Sequence, residues 1–433
     1  MRHAHTQPEE SGVQGTNSSI QTFLVSFGPG LLWAGSAIGV SHLVQATRAG
    51  ATAGFALTGV IIFALILKYP FFEFGPRYAA ATGESLVEGY RRVGRWAVWL
   101  YLLIMLSTVV FTNAAILLFT EALFQYALGT SFSPTLASAV VYTGCVLLLW
   151  VGHYKALDLL IKGVVLLLAL STLVAASLLL PQADFSDLRL IPLVPSEGTV
   201  TLAFMIALAG WMPVGIEAAT LSSLWTLAKD KSTNVRTSVS TARLDFNIAY
   251  VGTGVLAFAF LILGAVVMYG SGEEFSASPA GFSTQLIALY ESTLGGWAGP
   301  IVVTAAVTAM FSTTLTVMDG YPRAIDRAIK VIKTDNPDQT ANADISEPYW
   351  IAIIGIGVLM TLFLHFFVSS LTQMIDLITT ISFIAGPILG YLNLKAVTSP
   401  HVPKEHQPGK AMLAFSYFGL VSMAVVAVIF LMN

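Results

Sequence analysis

Charged residues are scarce in this chain, and their scarcity excludes most soluble proteins. Asp, Glu, Lys and Arg together make up 10% of the 433 residues, whereas a soluble globular protein carries about 25%. Hydrophobic residues make up 55%, and the mean hydropathy is +0.76. We therefore expect an integral membrane protein whose surface is largely covered by the lipid bilayer.

Cysteine, basic clusters and catalytic motifs are also missing. Cys145 is the only cysteine, which excludes an intrachain disulfide and a zinc site built from cysteines. The net charge is -3 and there is no basic patch, which excludes a nucleic-acid-binding protein. No nucleophile–base pair or metal-hydrolase motif is found, so neither an enzyme nor a prosthetic group is predicted. Residues 1–20 lack the layout of a signal peptide and are expected to form a disordered cytoplasmic tail.

Long apolar segments, by contrast, recur along the rest of the chain. Each is about 20 residues long, which is the length of a membrane-spanning helix, whereas strands of a membrane barrel would be about ten alternating residues. The class is therefore predicted to be an all-α polytopic membrane protein with a single transmembrane domain over residues 21–433. The eleven segments are 24–51, 52–76, 97–126, 133–152, 157–180, 200–227, 246–269, 297–320, 348–368, 371–394 and 411–432.

Positive charge alternates between successive loops. Arg91, Arg92 and Arg95 follow the second segment, and Arg323 is among the basic residues that follow the eighth. The loops on the opposite side carry almost no positive charge, with Arg189 as the exception. Cytoplasmic loops are enriched in Lys and Arg. The pattern predicts a plasma (inner) membrane protein with its N-terminus in the cytoplasm and its C-terminus outside.

The first apolar segment is interrupted near its centre. It contains Gly39, Ser41 and His42, and His42 is the only ionisable group between Glu10 and Arg48. Glycine tolerates unwinding, and unwound backbone inside a membrane occurs where it is buried in protein or lines a cavity. The pattern predicts a broken helix whose unwound centre binds a ligand.

The sixth segment carries a matching interruption over residues 210–215. Pro213 removes a backbone donor there, and glycines flank it on both sides. The two interruptions lie five segments apart, which predicts two inverted repeats of five helices (about 21–181 and 197–397) and an eleventh helix (411–432). Interrupted helices at matching positions of two repeats indicate the binding site of a transporter.

The two interruptions offer several possible metal ligands. The His42 imidazole and the Met212 thioether would favour Mn, Fe, Co, Ni, Cu or Zn over Mg and Ca. Glu217 is the only carboxylate near either interruption, and an acid in an apolar helix is a candidate functional group. Structural roles stay open for all three: His42 bonds a freed carbonyl, Met212 packs, or Glu217 pairs with a base. Ser41 belongs to the same polar cluster.

Other polar residues lie within the apolar segments. One run, 312–319, ends in Asp319, and another, 376–382, begins at Asp376. Both are candidates for the transport pathway, although small hydroxyl residues also hold membrane helices together. Lys68, Glu73 and Arg77 are expected at the inner end of the second segment, where they would snorkel to the interface or pair.

Several stretches resemble the Nramp family of divalent metal transporters. They are the opening GPG (28–30), the closing QATRAGA (45–51), the pair Met212-Pro213, and KYPFFEFGPRYAAATGESLVEGYRR (68–92). In the family, helix 1 runs GPG…DPGN…QAGA and helix 6 carries Met-Pro-His-Asn. The chain is identified as a divergent member, and the resemblance implies the LeuT-type fold with its 5+5 inverted repeat plus an eleventh helix.

The same resemblance implies a set of site residues. In the family an Asp and an Asn of helix 1, a Met sulfur of helix 6, and the carbonyl three residues before that Met hold the metal. Counted back from the end of QATRAGA, the Asp corresponds to Gly39 and the Asn to His42, while Met212 and the Ala209 carbonyl are retained. The family carboxylate is thus missing, and Glu217 is a candidate to replace it from the other repeat.

The resemblance also bears on coupling. The family relies on acidic residues in helix 3 for proton movement, but nothing between Arg95 and Glu121 is charged here, and Asn113 is among the few strongly polar groups. The usual proton coupling is therefore not expected, although protons stay possible partners.

The predicted function is a secondary transporter that moves a divalent metal ion across the membrane by alternating access. The ion is either a transition metal bound directly by His42 and Met212, or Mg²⁺, which keeps several of its waters. The alternative is a small organic solute such as an amino acid, since the LeuT-type fold also serves amino-acid carriers. Helix N-termini at the interruptions would then bind its carboxylate.

Overall fold

The computed structural model describes residues 28–151, 154–191, 200–272, 275–334, 346–367 and 370–432, and over these ranges the chain is helical without a strand. The predicted tail, residues 1–20, lies outside the described residues. The helices are α1 (Pro29–Ala37), α2 (Thr47–Ala53), α3 (Thr58–Thr82), α4 (Leu86–Val93), α5 (Arg95–Leu128), α6 (Pro134–Val151), α7 (Tyr154–Leu179), α8 (Leu202–Gly210), α9 (Ala218–Thr233), α10 (Val239–Val267), α11 (Pro279–Leu294), α12 (Ala298–Lys333), α13 (Glu347–Phe367), α14 (Leu371–Val397) and α15 (Lys410–Met432).

The predicted all-α membrane class is confirmed. Eight helices of the described part are long and apolar enough to cross a membrane, namely α3, α5, α6, α10, α12, α13, α14 and α15. α7 contributes a shorter apolar stretch, Leu166–Gln182, within the described residues. The first and sixth predicted segments correspond to the interrupted pairs α1–α2 and α8–α9.

Some helices extend beyond the predicted segments or were not predicted. α12 has 36 residues, about 54 Å of helix, so it continues well past a hydrocarbon core of about 30 Å. α4 and α11 form in stretches predicted as loops. A capping box between Ser85 and Glu88 starts α4, and the Ser278 side chain accepts the Gly281 N–H at the start of α11. These local caps were overlooked because neither helix is apolar enough to span a bilayer.

The basic loops meet at one end of the bundle, which we call the basic end. Glu73 is fully buried there and accepts hydrogen bonds from Arg77 at 2.7 Å and from Arg243 of α10 at 2.6 Å. The predicted pairing of Glu73 with Arg77 is thus observed. At the same end the Asp245 carboxylate accepts the Gly30 N–H at 2.7 Å, so a side chain of α10 caps the start of α1.

The interrupted helices lie in the core of the bundle. α1 packs against α9, and α2 packs against α10. The α2–α10 crossing is so close that a Cβ on Gly50 would lie 2.1 Å from the Leu261 carbonyl oxygen, and one on Gly264 would lie 2.0 Å from that of Thr47. Small residues permit such approaches between membrane helices. α6, α13 and α15 lie at the periphery, since no more than 33% of the most apolar stretch of each is buried.

Candidate functional site

The first interruption lies between α1 and α2. α1 ends at Ala37, Ile38 and Gly39 leave the helical pattern, and a π-helical turn, Ser41–Ala46, leads into α2. The freed Ala37 carbonyl accepts from the Ser41 hydroxyl and faces His42 Nδ1 at 2.9 Å. π-helical turns occur frequently at functional sites.

The second interruption separates α8 from α9 and gathers four backbone carbonyls around one ammonium group. α8 ends at Gly210, α9 begins at Ala218, and the Met212–Pro213 peptide bond is cis. The four carbonyl oxygens accept hydrogen bonds from Lys68 Nζ of α3. The N···O distances are 3.0 Å to Ala209, 2.9 Å to Gly210, 3.1 Å to Met212 and 2.8 Å to Val214.

The expectation that Lys68 lies at the inner end of its segment is wrong. Lys68 is the eleventh of the 25 residues of α3, and it is buried at 3% exposure. The predicted segment ended at residue 76, but the helix continues to Thr82, which moves Lys68 from the helix end to its middle. A lysine ten residues inside a membrane helix is the signal that identifies this position.

A small cavity lies between the two interruptions. Its volume is about 30 Å³, enough for a single ion or one to two waters. Six lining side chains carry oxygen, five as hydroxyls and one as a carboxylate. The lining residues are Ser36, Val40, Ser41, Thr112, Ile116, Trp211, Val214, Glu217, Ala218, Leu221, Thr313, Val317 and Tyr321.

Glu217 is the acid of this cavity. It is 5% exposed and directly precedes α9, where the helix dipole favours negative charge. Its carboxylate faces the Tyr321 hydroxyl at 3.5 Å and the Ser382 hydroxyl at 3.4 Å, and Ser382 in turn accepts from Trp211 Nε1 at 2.9 Å. Lys68 Nζ bonds the Val214 carbonyl, three residues before Glu217 along the chain.

Of the six predicted site residues, only Ser41 and Glu217 line the cavity. His42 is fully buried, and its Nε2 lies 2.9 Å from the Thr253 carbonyl oxygen. His42 Nδ1 lies 2.9 Å from the Ala37 carbonyl oxygen and 2.8 Å from Ser41 Oγ, so both ring nitrogens contact oxygens of the protein. This matches the alternative in which His42 bonds a freed carbonyl. Met212 is fully buried beside the cavity.

The remaining two predicted positions are occupied by other groups of the protein. The Ala209 carbonyl bonds Lys68. A Cβ on Gly39 would lie 2.8 Å from Thr313 Cγ2, so Thr313 takes the space that a longer side chain would need. The Thr313 hydroxyl donates to the Gly35 carbonyl at 2.8 Å.

The two polar runs, 312–319 and 376–382, were candidates for the transport pathway, and only part of each lies at the cavity. From the first, Thr313 reaches the cavity, whereas Asp319 pairs with Arg323 at 2.7 Å. From the second, Ser382 bonds Glu217, whereas Asp376 pairs with Arg48 of α2.

Three of the hydroxyl-bearing cavity residues were not anticipated from the sequence. They are Ser36 of α1, Thr112 of α5 and Tyr321 of α12. Thr112 is 2% exposed, and its hydroxyl makes no hydrogen bond of ordinary geometry within the described residues. Nothing in the local pattern distinguishes these side chains from other hydroxyls in membrane helices.

The described residues contain no group of three or more His, Cys, Asp or Glu side chains that could hold a metal ion. The cavity instead offers hydroxyl oxygens and one carboxylate. Such a site suits a hard cation that keeps part of its water, because Mg²⁺ and similar ions prefer oxygen ligands.

Sequence comparison identifies relatives over most of the chain. The family model for Nramp, described as natural resistance-associated macrophage protein-like, matches residues 30–433. An uncharacterised protein of Pasteurella multocida is 32% identical over 409 residues, which cover 94% of this chain and 92% of the relative. A divalent metal cation transporter, MntH, of Aeromonas hydrophila is 24% identical over 305 residues, 69% of this chain and 74% of the relative.

Solved structures share the fold at low sequence identity. A variant of the Eremococcus coleocola manganese transporter superposes with a TM-score of 0.70 at 15% identity, covering 97% of this chain and 88% of the other. Mhp1, a nucleobase-cation-symport-1 transporter, superposes with a TM-score of 0.56 at 13% identity, covering 93% and 91%. The fold is therefore the LeuT-type transporter fold, as the sequence predicts.

Proposed function

Since this chain belongs to the Nramp family, and is thus a membrane transporter and not an enzyme, we propose that it moves a divalent metal ion across the membrane by alternating access. The observation that carries the proposal is the cavity between the two interrupted helices. Its volume is enough for a single ion or one to two waters, and Glu217 supplies the carboxylate that position 39 lacks.

The cargo we propose is a hard dication, Mg²⁺ or Mn²⁺, that retains part of its hydration shell. Oxygen ligands line the cavity, whereas the His42 nitrogens face backbone carbonyls. Charge from Glu217 and dipoles from the hydroxyls of Ser41 and Thr112 would replace some of the lost water. Mg²⁺ gives up its water reluctantly, which fits a site without a complete set of protein ligands.

Alternating access is supported by polar ties at both ends of the cavity. At the basic end, Asp245 of α10 caps α1. At the opposite end, Arg48 of α2 and Asp376 of α14 form a bidentate pair at 2.8 and 3.1 Å. Each tie joins an element of one predicted repeat to an element of the other, so releasing one tie at a time would open the cavity to one side.

For orientation, we propose that the basic end faces the cytoplasm, as the distribution of Lys and Arg indicates. The N-terminus then lies in the cytoplasm and the C-terminus outside. We assign no proton carrier in this scheme; Asn113 of α5 bonds the Val109 carbonyl of its own helix at 2.8 Å.

The test is uptake of Mn²⁺ and Mg²⁺ into proteoliposomes loaded with a metal-sensitive dye. We expect uptake by the wild type and a reduction of at least about tenfold in Glu217→Gln, the equivalent of about 1.4 kcal/mol. Glu405→Gln, at an exposed loop position, is the matched control and should transport normally.

Two results would contradict the proposal. One is normal uptake by Glu217→Gln, which would show that the Glu217 carboxylate does not bind the ion. The other is wild-type protein that transports neither metal but is thermally stabilised by an amino acid, which would favour the organic-solute alternative. The cavity volume of about 30 Å³ leaves no room for an amino acid in the present conformation.

A further inference from the structure

Lys68 occupies the place of an ion at the second interruption. Its Nζ lies between 2.8 and 3.1 Å from four carbonyl oxygens at the end of α8 and in the segment that follows it. An ammonium group has three N–H donors, so the four acceptors share them. The arrangement surrounds one positive charge with backbone oxygens, as a coordination shell would.

The distances show which cations this group of carbonyls can accept. Mg²⁺ binds oxygen at 2.0–2.1 Å and Ca²⁺ at 2.3–2.6 Å, both shorter than the observed N···O separations. The separations instead match ordinary N–H···O hydrogen bonds. The carbonyls are therefore arranged around an ammonium ion, and a bare dication would require them to move closer together.

The electrostatics favour a permanent occupant. The C-terminal end of α8 carries partial negative charge, and buried carbonyls without a partner are costly inside a membrane. Lys68 satisfies both, and its stem is held by α3, which packs against α8 and α9. The Phe72 ring adds a second contact, with Nζ 5.7 Å from its centroid.

We propose that Lys68 is a tethered cation that replaces a bound ion at the carbonyls of Ala209, Gly210, Met212 and Val214. The cargo is thereby excluded from these carbonyls and confined to the cavity beside Glu217. Lys68 is thus a specificity-determining residue, and the part of this inference that concerns the cargo rests on the proposed function. The occupancy of the four carbonyls by Lys68 is independent of the proposed function.

Removing the side chain should leave a vacant site for a free ammonium ion. The experiment measures thermal unfolding of purified wild type and Lys68→Ala in ammonium chloride and, at equal ionic strength, in tetramethylammonium chloride, whose cation has no N–H donor. We expect Lys68→Ala to be less stable than the wild type and to regain stability in ammonium alone. The wild type should respond equally to both salts.

Uptake provides the functional measurement. Mn²⁺ uptake by Lys68→Ala proteoliposomes should fall by about tenfold, a change of about 1.4 kcal/mol, and recover severalfold when ammonium is added. Lys395→Ala removes an exposed lysine of α14 and should match the wild type in both salts, which controls for effects of ammonium on the liposomes.

The proposal is overturned if folded Lys68→Ala responds equally to the two salts, or if the wild type itself requires a monovalent cation for stability. If Lys68→Ala does not fold in either salt, Lys68→Gln is tested in its place. The glutamine amide retains two donors for the carbonyls, so we expect ammonium to stabilise Lys68→Gln by a small but measurable amount. If the wild type takes up no metal but ammonium stabilises Lys68→Ala, the proposed cargo is contradicted and the tethered cation is supported. If the wild type takes up metal but ammonium does not stabilise Lys68→Ala, only the tethered cation is contradicted.

Discussion

Single side chains at the first interruption explain why the ion site differs from the pattern that the family resemblance implies. Thr313 of α12 fills the space beside Gly39 and bonds the Gly35 carbonyl. The side chain of an aspartate at position 39 would clash with Thr313 and could not extend toward an ion without a shift of α12. Restoring the missing carboxylate therefore requires a change on α12 as well as on the first interrupted helix.

His42 is the residue whose role a single substitution decides. His42→Ala removes a buried imidazole together with the one hydrogen bond that its N–H donates, a loss of about 0.5–1.5 kcal/mol to which the vacated space adds. We expect a lower unfolding temperature in detergent and an unchanged KM for Mn²⁺ uptake. His406→Ala, in the loop before α15, serves as the control and should change neither quantity.

The opposite result would restore His42 as a ligand. A KM raised tenfold or more, at an unchanged unfolding temperature, would mean that the imidazole binds the metal during transport and that its carbonyl contacts contribute little.

At the level of the helices, the pair between Arg48 and Asp376 is the contact whose release the proposed alternating access requires at this end. It joins α2 to α14, and its side chains are only 15% and 33% exposed. Part of its energy is lost to solvent screening, so we assign it about 1 kcal/mol. A contact of this size shifts a conformational equilibrium severalfold without unfolding the protein.

We therefore expect Asp376→Asn to raise the population that is open at this end. A cysteine introduced at Ser36, in a Cys145→Ala background, should react severalfold faster with a membrane-impermeant thiol reagent added on that side. Arg189→Gln, in a loop at the same end, is the control. Equal labelling of Asp376→Asn and the parent would mean that the pair does not hold the cavity closed.

The helices also show what could be predicted from sequence. The eight long apolar helices of the described residues and both interruptions were predicted, because apolar length and the placement of glycine and proline are local properties. The cavity wall was not, since Thr112 and Tyr321 are ordinary residues of α5 and α12 that only the tertiary arrangement brings to Glu217. Lys68 was misplaced because its position within α3 depends on where that helix begins and ends, and hydropathy alone does not define those boundaries.

For the whole molecule, the buried charges of the basic end link elements far apart in sequence. Glu73 of α3 is fully buried and pairs with both Arg77 and Arg243. Removing one partner of a buried pair typically costs about 3–5 kcal/mol. The lower part of that range applies here, because Arg243 is 41% exposed and solvent stabilises its charge.

Glu73→Gln should therefore lower the free energy of unfolding by roughly 3 kcal/mol, measured by denaturation in detergent. Glu405→Gln is the control and should leave stability within about 0.5 kcal/mol of the wild type. An equally small effect of Glu73→Gln would show that water reaches the two guanidinium groups when the carboxylate is neutralised.

The placement of Lys68 near Glu217 has an electrical consequence for the transport cycle. In the proposed cycle, if both side chains are ionised, their charges cancel, and the return of the empty site across the membrane would be insensitive to voltage. The loaded site carries the two charges of the metal ion. In the proposed cycle, a membrane potential of 100 mV, negative inside, would then contribute about 4.6 kcal/mol to the inward step, and we expect Mn²⁺ uptake into proteoliposomes to rise with that potential in the absence of a second ion gradient.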